Sequence, residues 1–157
     1  GHMDLSLLYD EVAADEGKRL SPYMCSENHL TIGIGHKCVS GDPELEMPPY
    51  DADADAPEEH LISEERCREL FVADILESVE GCRRLYAGWY EFSDELQHIL
   101  VNMVFQMGAA GVGKFKMMNA AIEDGDFQEA SRQMLDSRWA RQTPNRANRL
   151  SERMAAL

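Results

Sequence analysis

The 157-residue sequence lacks several features that mark common classes of protein. No apolar run approaches the ~20 residues needed to span a bilayer, and no signal peptide is recognisable, so no membrane partner is expected. HExxH and CxxC motifs are absent and the histidines are scattered, so we expect no metal site and no cofactor. The tripeptide Gly1-His2-Met3 is typical of an expression scar, and a single domain is expected over residues 4–157.

Basic residues are scarce and unevenly placed. The net charge is −14, and residues 1–92 hold 21 acidic but only seven basic side chains, whereas residues 93–157 hold eight of each. Such a charge disfavours nucleic acid as a partner. Residues 41–60 alone contain eight acids and no Lys or Arg, which predicts a solvated loop without regular structure. Asp51-Ala-Asp53-Ala-Asp55 resembles the start of a calcium loop but lacks its later glycine and acid, which favours a solvated loop here too.

Apolar spacing and turn residues predict an α+β fold with two lobes. An apolar stripe, Leu5, Leu7, Leu8 and Val12, predicts a first helix that ends near Glu16. Residues 20–39 are typical of a β-hairpin region with its turn at residues 26–29. We therefore expect a small N-terminal β-hairpin lobe (residues 4–62, with an acidic loop at 41–60). A long linking helix (63–83) would join it to a helical C-terminal lobe (84–157).

Local signals predict where the later helices begin and end. Ser63 precedes two acids and is expected to cap the linking helix, and Ser93 or Asp94 is expected to cap the next one. Gly125 separates two further helices. Thr143 is predicted to cap a last helix that has Pro144 at its first position.

The most informative segment is EGKRLSPYMCSENHLTIGIGH, residues 16–36. It places Glu16 at the end of an apolar helical stretch, Cys25 nine residues later, and Thr31 inside a β-like run. Apolar surroundings favour the protonated carboxyl, so Glu16 is a candidate general acid, although a solvated helix-end residue would look the same. Alternate glycines in TIGIGH indicate backbone that passes close to another group, or simply a hairpin.

These residues resemble the phage-type lysozymes, glycoside hydrolase family 24. The family pattern is Glu, eight residues, Asp or Cys, five residues, then Thr, and Glu16, Cys25 and Thr31 meet it in full. VNMVFQMG (residues 101–108) is similar to the family's central helix of the second lobe, and SRWARQTPNRANR (137–149) to its C-terminal cleft wall. The resemblance spans residues 5–153 and fails only around 41–60. It implies a two-lobed lysozyme-like fold.

The resemblance also implies roles for individual residues. Glu16 would be the proton donor, Cys25 would occupy the place of the water-orienting acid, and Thr31 would hydrogen-bond the attacking water. A neutral thiol is a weak base, so Cys25 is left as base, nucleophile or simply a packed residue. Glu27 is a nearby carboxylate that we expect to contact substrate or solvent.

Further side chains are expected to bind substrate. The resemblance assigns this role to Gln106, Arg138 and Gln142, and places Arg146 near the catalytic acid. The alternative for Gln106 is a core amide satisfied by backbone, because an unpaired amide is costly to bury. Trp139 near them is expected either in the cleft wall or in the core.

The resemblance implies a peptidoglycan hydrolase, a muramidase that cleaves the β-1,4 bond between N-acetylmuramic acid and N-acetylglucosamine. Anionic cell walls should repel so acidic a chain. We therefore hypothesise a monomeric antibacterial lytic domain that is delivered to a target periplasm, as a secretion-system effector or phage-tail component would be. An immunity or inhibitor protein would then be a further partner. Alternatives are a phage endolysin, a non-catalytic peptidoglycan-binding module, and a regulator acting through the acidic loop.

Two further expectations concern cysteine and histidine. Cys67 and Cys82 would lie roughly 22 Å apart on one continuous helix, too far for a disulfide. Either Cys38 bridges one of them or all four thiols, including Cys25, are free. His36 is expected to form an ion pair with Asp74 and to have no catalytic role.

Overall fold

A computed structural model describes residues 3–157 of the chain. These residues form two compact units, one spanning Leu5–Ile75 and the other Leu76–Leu157 together with residues 3–4. The strands are β1 (Arg19–Met24), β2 (Leu30–Gly33) and β3 (His36–Lys37). The α-helices are α1 (Leu5–Glu16), α2 (Glu64–Leu85), α3 (Asp94–Gly113), α4 (Lys116–Glu123), α5 (Phe127–Leu135), α6 (Arg138–Gln142) and α7 (Pro144–Ala155). The predicted α+β class is confirmed, and the predicted domain boundaries stay a prediction.

Helix α1 is held in the unit Leu5–Ile75 by two side chains spaced four residues apart. Leu8 and Val12 are fully buried, and Tyr9 beside them meets the ring of Phe71 edge-on at 4.9 Å between centroids. The predicted apolar stripe is wrong in its other two members, because Leu5 is 42% exposed and Leu7 58% exposed. Successive helical residues point about 100° apart, so Leu7 cannot share the face of Leu8.

The sheet is antiparallel, with β2 between β1 and β3. Thr31 on β2 lies opposite Tyr23 on β1 and opposite Lys37 on β3. The register shifts between Arg19 and Tyr23, so β1 carries an irregularity. The predicted hairpin is confirmed, whereas β3 was missed because a two-residue strand gives no periodic signal.

The acidic segment is ordered, so the prediction of a loop without regular structure is wrong. It contains short 3-10 helices at Pro43–Glu46, Asp53–Asp55 and Glu58–His60. The Asp53 carboxylate accepts hydrogen bonds from the backbone N–H groups of Leu20 (3.0 Å) and Ser21 (2.9 Å), from the Ser21 hydroxyl (2.6 Å) and from Arg19 Nε (3.2 Å). One acid thereby fastens the segment to β1.

We call residues 41–62 the acidic strap, because further bonds tie both of its halves down. The buried Glu44 carboxylate accepts two hydrogen bonds from Arg66 on α2, each 2.9 Å long. The backbone N–H groups of Tyr50 and Ile62 donate to the carbonyls of Pro22 and Leu20, both at 2.8 Å. The strap therefore satisfies backbone groups of Leu20, Ser21 and Pro22 in β1.

His36 lies between two carboxylates, and its predicted pairing with Asp74 is confirmed. Its Nδ1 is 2.7 Å from Asp74 Oδ2 and its Nε2 is 2.8 Å from Asp42 Oδ2. Asp42 also accepts a hydrogen bond from the N–H of Val39. Burial alone would lower the pKa of His36, but the hydrogen bonds and charges of Asp74 and Asp42 outweigh it and raise the pKa to about 9.

In the unit Leu76–Leu157, helix α3 has a largely buried first half. In this unit α5 packs on α4 and α7, and α7 also packs on α3.

The predicted caps Ser63 and Ser93 are confirmed, each accepting a hydrogen bond from the N–H three residues later. Thr143 is the N-cap residue of α7 and Pro144 its first residue, as predicted, but the Thr143 hydroxyl does not cap the helix and donates instead to the carbonyl of Trp139 (3.0 Å). Gly108, with φ of +79°, introduces a kink within α3.

All four cysteines are free thiols, which settles the question that the sequence left open. Cys67 and Cys82 are buried, and burial raises the pKa of Cys82 to about 12. Among residues 3–157, no cluster of His, Cys, Asp or Glu side chains is suited to hold a metal ion. None of the helices described here combines the length and apolarity of a membrane span.

Candidate active site

Glu16 is the last residue of α1, and the chain turns immediately after it into β1. The N–H of Gly17 donates to the carbonyl of Ala13 at 2.9 Å, which closes the helix end. The Glu16 side chain is partly buried and lies beside Gly35, in the turn between β2 and β3. The proposed acid is therefore placed by a helix end and a sheet turn within one compact unit.

Tyr23 on β1 is close enough to Glu16 for their charges to interact, and sequence reasoning did not identify it. Burial, followed by the negative charge of Glu16, raises the pKa of Tyr23, and a negative charge on Cys25 acts in the same direction. The guanidinium of Arg19 lies over the Tyr23 ring, 4.8 Å from its centroid, and opposes that rise. Alternation along the sequence could not have identified this pair, because the register of β1 shifts between Arg19 and Tyr23.

Cys25 lies at the end of the β1–β2 hairpin, where short hydrogen bonds hold the turn. Its N–H donates to the carbonyl of His29 (3.0 Å), its carbonyl accepts from the N–H of Asn28 (2.9 Å), and its Sγ accepts from the N–H of His29 (3.4 Å). Asn28 adopts the left-handed conformation, with φ of +67°, which asparagine tolerates better than most residues. The turn thus directs a backbone donor at the thiol.

The pKa of Cys25 is lower than that of an ordinary thiol. Burial raises it, but hydrogen bonds from the backbone of His29 and Glu27 and from the Thr31 hydroxyl outweigh burial, and the charge of Lys37 adds to them. The Thr31 side chain is buried, and its hydroxyl is 2.9 Å from the carbonyl of His29. Its single proton bonds either that carbonyl or the thiolate. Cys25 and Thr31 are therefore linked through His29, whose N–H donates to the thiol and whose carbonyl accepts from the hydroxyl.

Glu27 is exposed in the same hairpin turn and pairs with Lys37, with 3.3 Å between Oε2 and Nζ. Both side chains are more than half exposed, so this ion pair contributes little to stability. The carboxylate remains accessible at the hairpin end. The contact of the Glu27 carboxylate with substrate or solvent stays a prediction.

Gln106 and Trp139 are joined in the unit Leu76–Leu157. The Trp139 Nε1–H donates to Gln106 Oε1 at 2.8 Å, and the indole packs edge-on against Phe115. Trp139 is only 5% exposed, so it lies in the core, one of its two expected places. The partner of Gln106 is an indole and not the backbone, and this amide is only partly buried. It is therefore held in place while part of it stays accessible.

Arg146 on α7 is 8% exposed and binds Asn102 on α3, with 2.9 Å between Nε and Asn102 Oδ1. Sequence reasoning missed the buried Asn102, although the argument that singled out Gln106 applies equally to an amide in VNMVFQMG. Arg138 and Gln142 are exposed on α6. Glu16, Cys25, Thr31 and Glu27 thus belong to one compact unit, and the other predicted substrate-binding residues, Gln106, Arg138, Gln142 and Arg146, belong to the other.

Comparisons with known proteins identify the family. The phage lysozyme family model matches residues 13–156. Probable T4-type lysozymes 2 and 1 of Dictyostelium discoideum are 32% and 31% identical over 156 residues, covering 93% of this chain and 92% of each relative. The pre-baseplate central spike protein Gp5 of Enterobacteria phage T4 is 32% identical over 147 residues, covering 87% of this chain and 25% of that protein. The chain belongs to the phage lysozyme family of glycoside hydrolases.

Proposed function

We propose that this chain is a muramidase that cleaves the β-1,4 bond between N-acetylmuramic acid and N-acetylglucosamine, with Glu16 as the general acid. The supporting observation is the grouping of an acid, a thiol and a hydroxyl around Tyr23. Tyr23 lies opposite Thr31 in the sheet and two residues before Cys25, and Glu16 is close enough to contribute to the rise in its pKa. Glycoside hydrolysis needs a proton donor and a second group that activates water or attacks the sugar, and this grouping supplies both.

We assign one step of the reaction to each of the three residues. The Glu16 carboxyl protonates the leaving glycosidic oxygen, and the bond to the anomeric carbon breaks with development of positive charge on the sugar. The lowered pKa of Cys25 increases its thiolate fraction, which is competent to accept a proton from water or to attack the anomeric carbon. The Thr31 hydroxyl accepts a hydrogen bond from the attacking water while it donates a hydrogen bond to the carbonyl of His29.

Mass spectrometry of muropeptides released from purified peptidoglycan tests the proposal. The parent chain should release products with reducing N-acetylmuramic ends, and Glu16→Gln should release none. Asp10→Asn is the matched control, since it removes one exposed charge from the same helix and should leave the product yield unchanged. Release by Glu16→Gln at the parental rate would contradict the role of Glu16.

The rival function is a peptidoglycan-binding module without turnover, and the observation that favours it is a thiol where the family pattern also allows a carboxylate. It predicts binding to purified wall without new reducing ends. Sedimentation with insoluble peptidoglycan in the same experiment distinguishes the two functions. Binding by the parent without product release would replace the muramidase with this module.

We further propose that the domain acts after delivery to a target periplasm. The net charge of −14 would oppose approach to an anionic wall from outside, and direct placement removes the need for long-range attraction. The spike protein named above matches over only a quarter of its length, which is consistent with a lytic domain carried on a larger protein.

Charge reversal on the acidic strap tests the delivery proposal. Asp51, Asp55, Glu58 and Glu59 are exposed, and replacing all four by Lys changes the net charge from −14 to −6. This variant should lyse cells whose walls are accessible from outside faster than the parent, with unchanged activity on isolated wall. Equal lysis by both proteins, with fold and wall activity retained, would contradict repulsion as the barrier.

A further inference from the structure

The Glu16 side chain rests directly on the backbone of Gly35. A Cβ built on Gly35 would lie 2.9 Å from Glu16 Oε1, 3.2 Å from its Cδ and 3.3 Å from its Cγ. The first distance is shorter than van der Waals contact allows. Any residue other than glycine at position 35 would therefore have to move the Glu16 carboxyl group.

Gly33 on β2 provides an internal comparison two residues away. Its φ is +68° and that of Gly35 is +65°, so both adopt the left-handed conformation that costs an L-amino acid free energy. A Cβ on Gly33 would meet Cys67 Sγ at 3.4 Å, an ordinary contact, and no atom of Glu16 lies within 4 Å. The two glycines thus share backbone strain and differ in contact with the acid.

We propose that Gly35 is a positioning residue for the reaction, and that its missing side chain sets where the Glu16 carboxyl group lies. The effect of this positioning on catalysis rests on the proposed function of Glu16. The clash of a Cβ at position 35 is with the end of a flexible side chain, so the fold can relieve it by rotating Glu16. Catalysis cannot tolerate that rotation, because a displacement of about 1 Å of a reacting group costs on the order of 100-fold in rate.

The experiment compares Gly35→Ala with Gly33→Ala. Because each places an alanine at positive φ, both should lower the Tm by a similar amount, about 2–8 °C. The ¹³C chemical shift of the Glu16 carboxyl should change in Gly35→Ala and stay at the parental value in Gly33→Ala. On soluble peptidoglycan fragments, Gly35→Ala should lower kcat about 10- to 100-fold with KM little changed, and Gly33→Ala should stay within about twofold of the parent.

The outcomes separate this inference from the proposed function. An unmoved Glu16 resonance and parental kcat in Gly35→Ala would overturn the positioning role, even with the muramidase established. If the parent itself has no activity, the proposed function fails, and the Glu16 resonance alone still decides whether Gly35 sets the carboxyl position. Should Gly35→Ala not fold, Gly35→Asn and Gly33→Asn replace the pair, because asparagine tolerates positive φ, as Asn28 does here. The same expectations apply to them.

Discussion

The charge cluster around His36 predicts that the protein loses stability between pH 6 and pH 9. The pKa of His36 is raised to about 9 from 6.5 by Asp74 and Asp42, which outweigh the effect of burial. A group with a raised pKa stabilises the folded state fully below its unfolded pKa, and this contribution disappears as the pH rises through the folded value. This difference in pKa corresponds to a contribution of about 3 kcal/mol to the free energy of unfolding, and most of that contribution is lost by pH 9.

The assay is urea unfolding of the parent and His36→Gln at pH 6, 7.5 and 9. Asp42 does not titrate in this range, since its pKa, which burial raises, is lowered overall by the N–H of Val39 and by His36. We expect the free energy of unfolding of the parent to fall by about 2–3 kcal/mol more than that of His36→Gln from pH 6 to pH 9. Buried thiols contribute equally to both proteins, so the difference isolates His36.

Equal pH dependence of the two proteins would refute this reasoning. It would mean that His36 titrates in the folded state as it does in the unfolded chain, and that its two short contacts carry no net charge interaction. A larger loss in His36→Gln than in the parent would reverse the sign and also refute it.

Three further predictions concern the strap and the site. Asp53→Ala should lower the free energy of unfolding in urea by about 1–3 kcal/mol because the donors of β1 lose their acceptor, whereas the exposed Asp51→Ala should stay within about 0.5 kcal/mol. Cys25→Asp should still hydrolyse purified peptidoglycan, whereas the hydrolysis rate of Cys25→Ala should fall by about 10²- to 10⁴-fold. Parental activity in Cys25→Ala would exclude the thiol from the chemistry. Trp139→Phe removes the hydrogen bond to Gln106 and should lower the free energy of unfolding by about 1 kcal/mol, and an unchanged value would show that this bond contributes nothing net.

The features predicted well from the sequence depend on neighbours along the chain. Ser63 and Ser93 cap helices because a hydroxyl reaches an N–H only three residues away. The hairpin region at residues 20–39 was predicted for the same reason, since its turn at residues 26–29 is formed by neighbours along the chain. Thr143 shows the limit of such local rules, because a carbonyl four residues earlier competes successfully for its hydroxyl.

The features that were missed depend on distant partners. Eight acids without a base predicted a solvated loop, yet Glu44 and Asp53 bind arginines 22 and 34 positions away. Neither pairing leaves a periodic or local signal in the sequence. For the candidate site, the resemblance supplied Glu16, Cys25 and Thr31, but Tyr23 became visible only once the strand register was known.

The acidic strap has a consequence for how this protein behaves when it is concentrated. A sheet edge with unsatisfied N–H and C=O groups is a template for adding strands from other molecules. Here the carbonyls of Leu20 and Pro22 and the N–H groups of Leu20 and Ser21 already have partners in the strap. The segment that its composition predicted to be a solvated loop therefore covers part of the β1 edge, and shortening it would expose these groups to strand pairing between molecules.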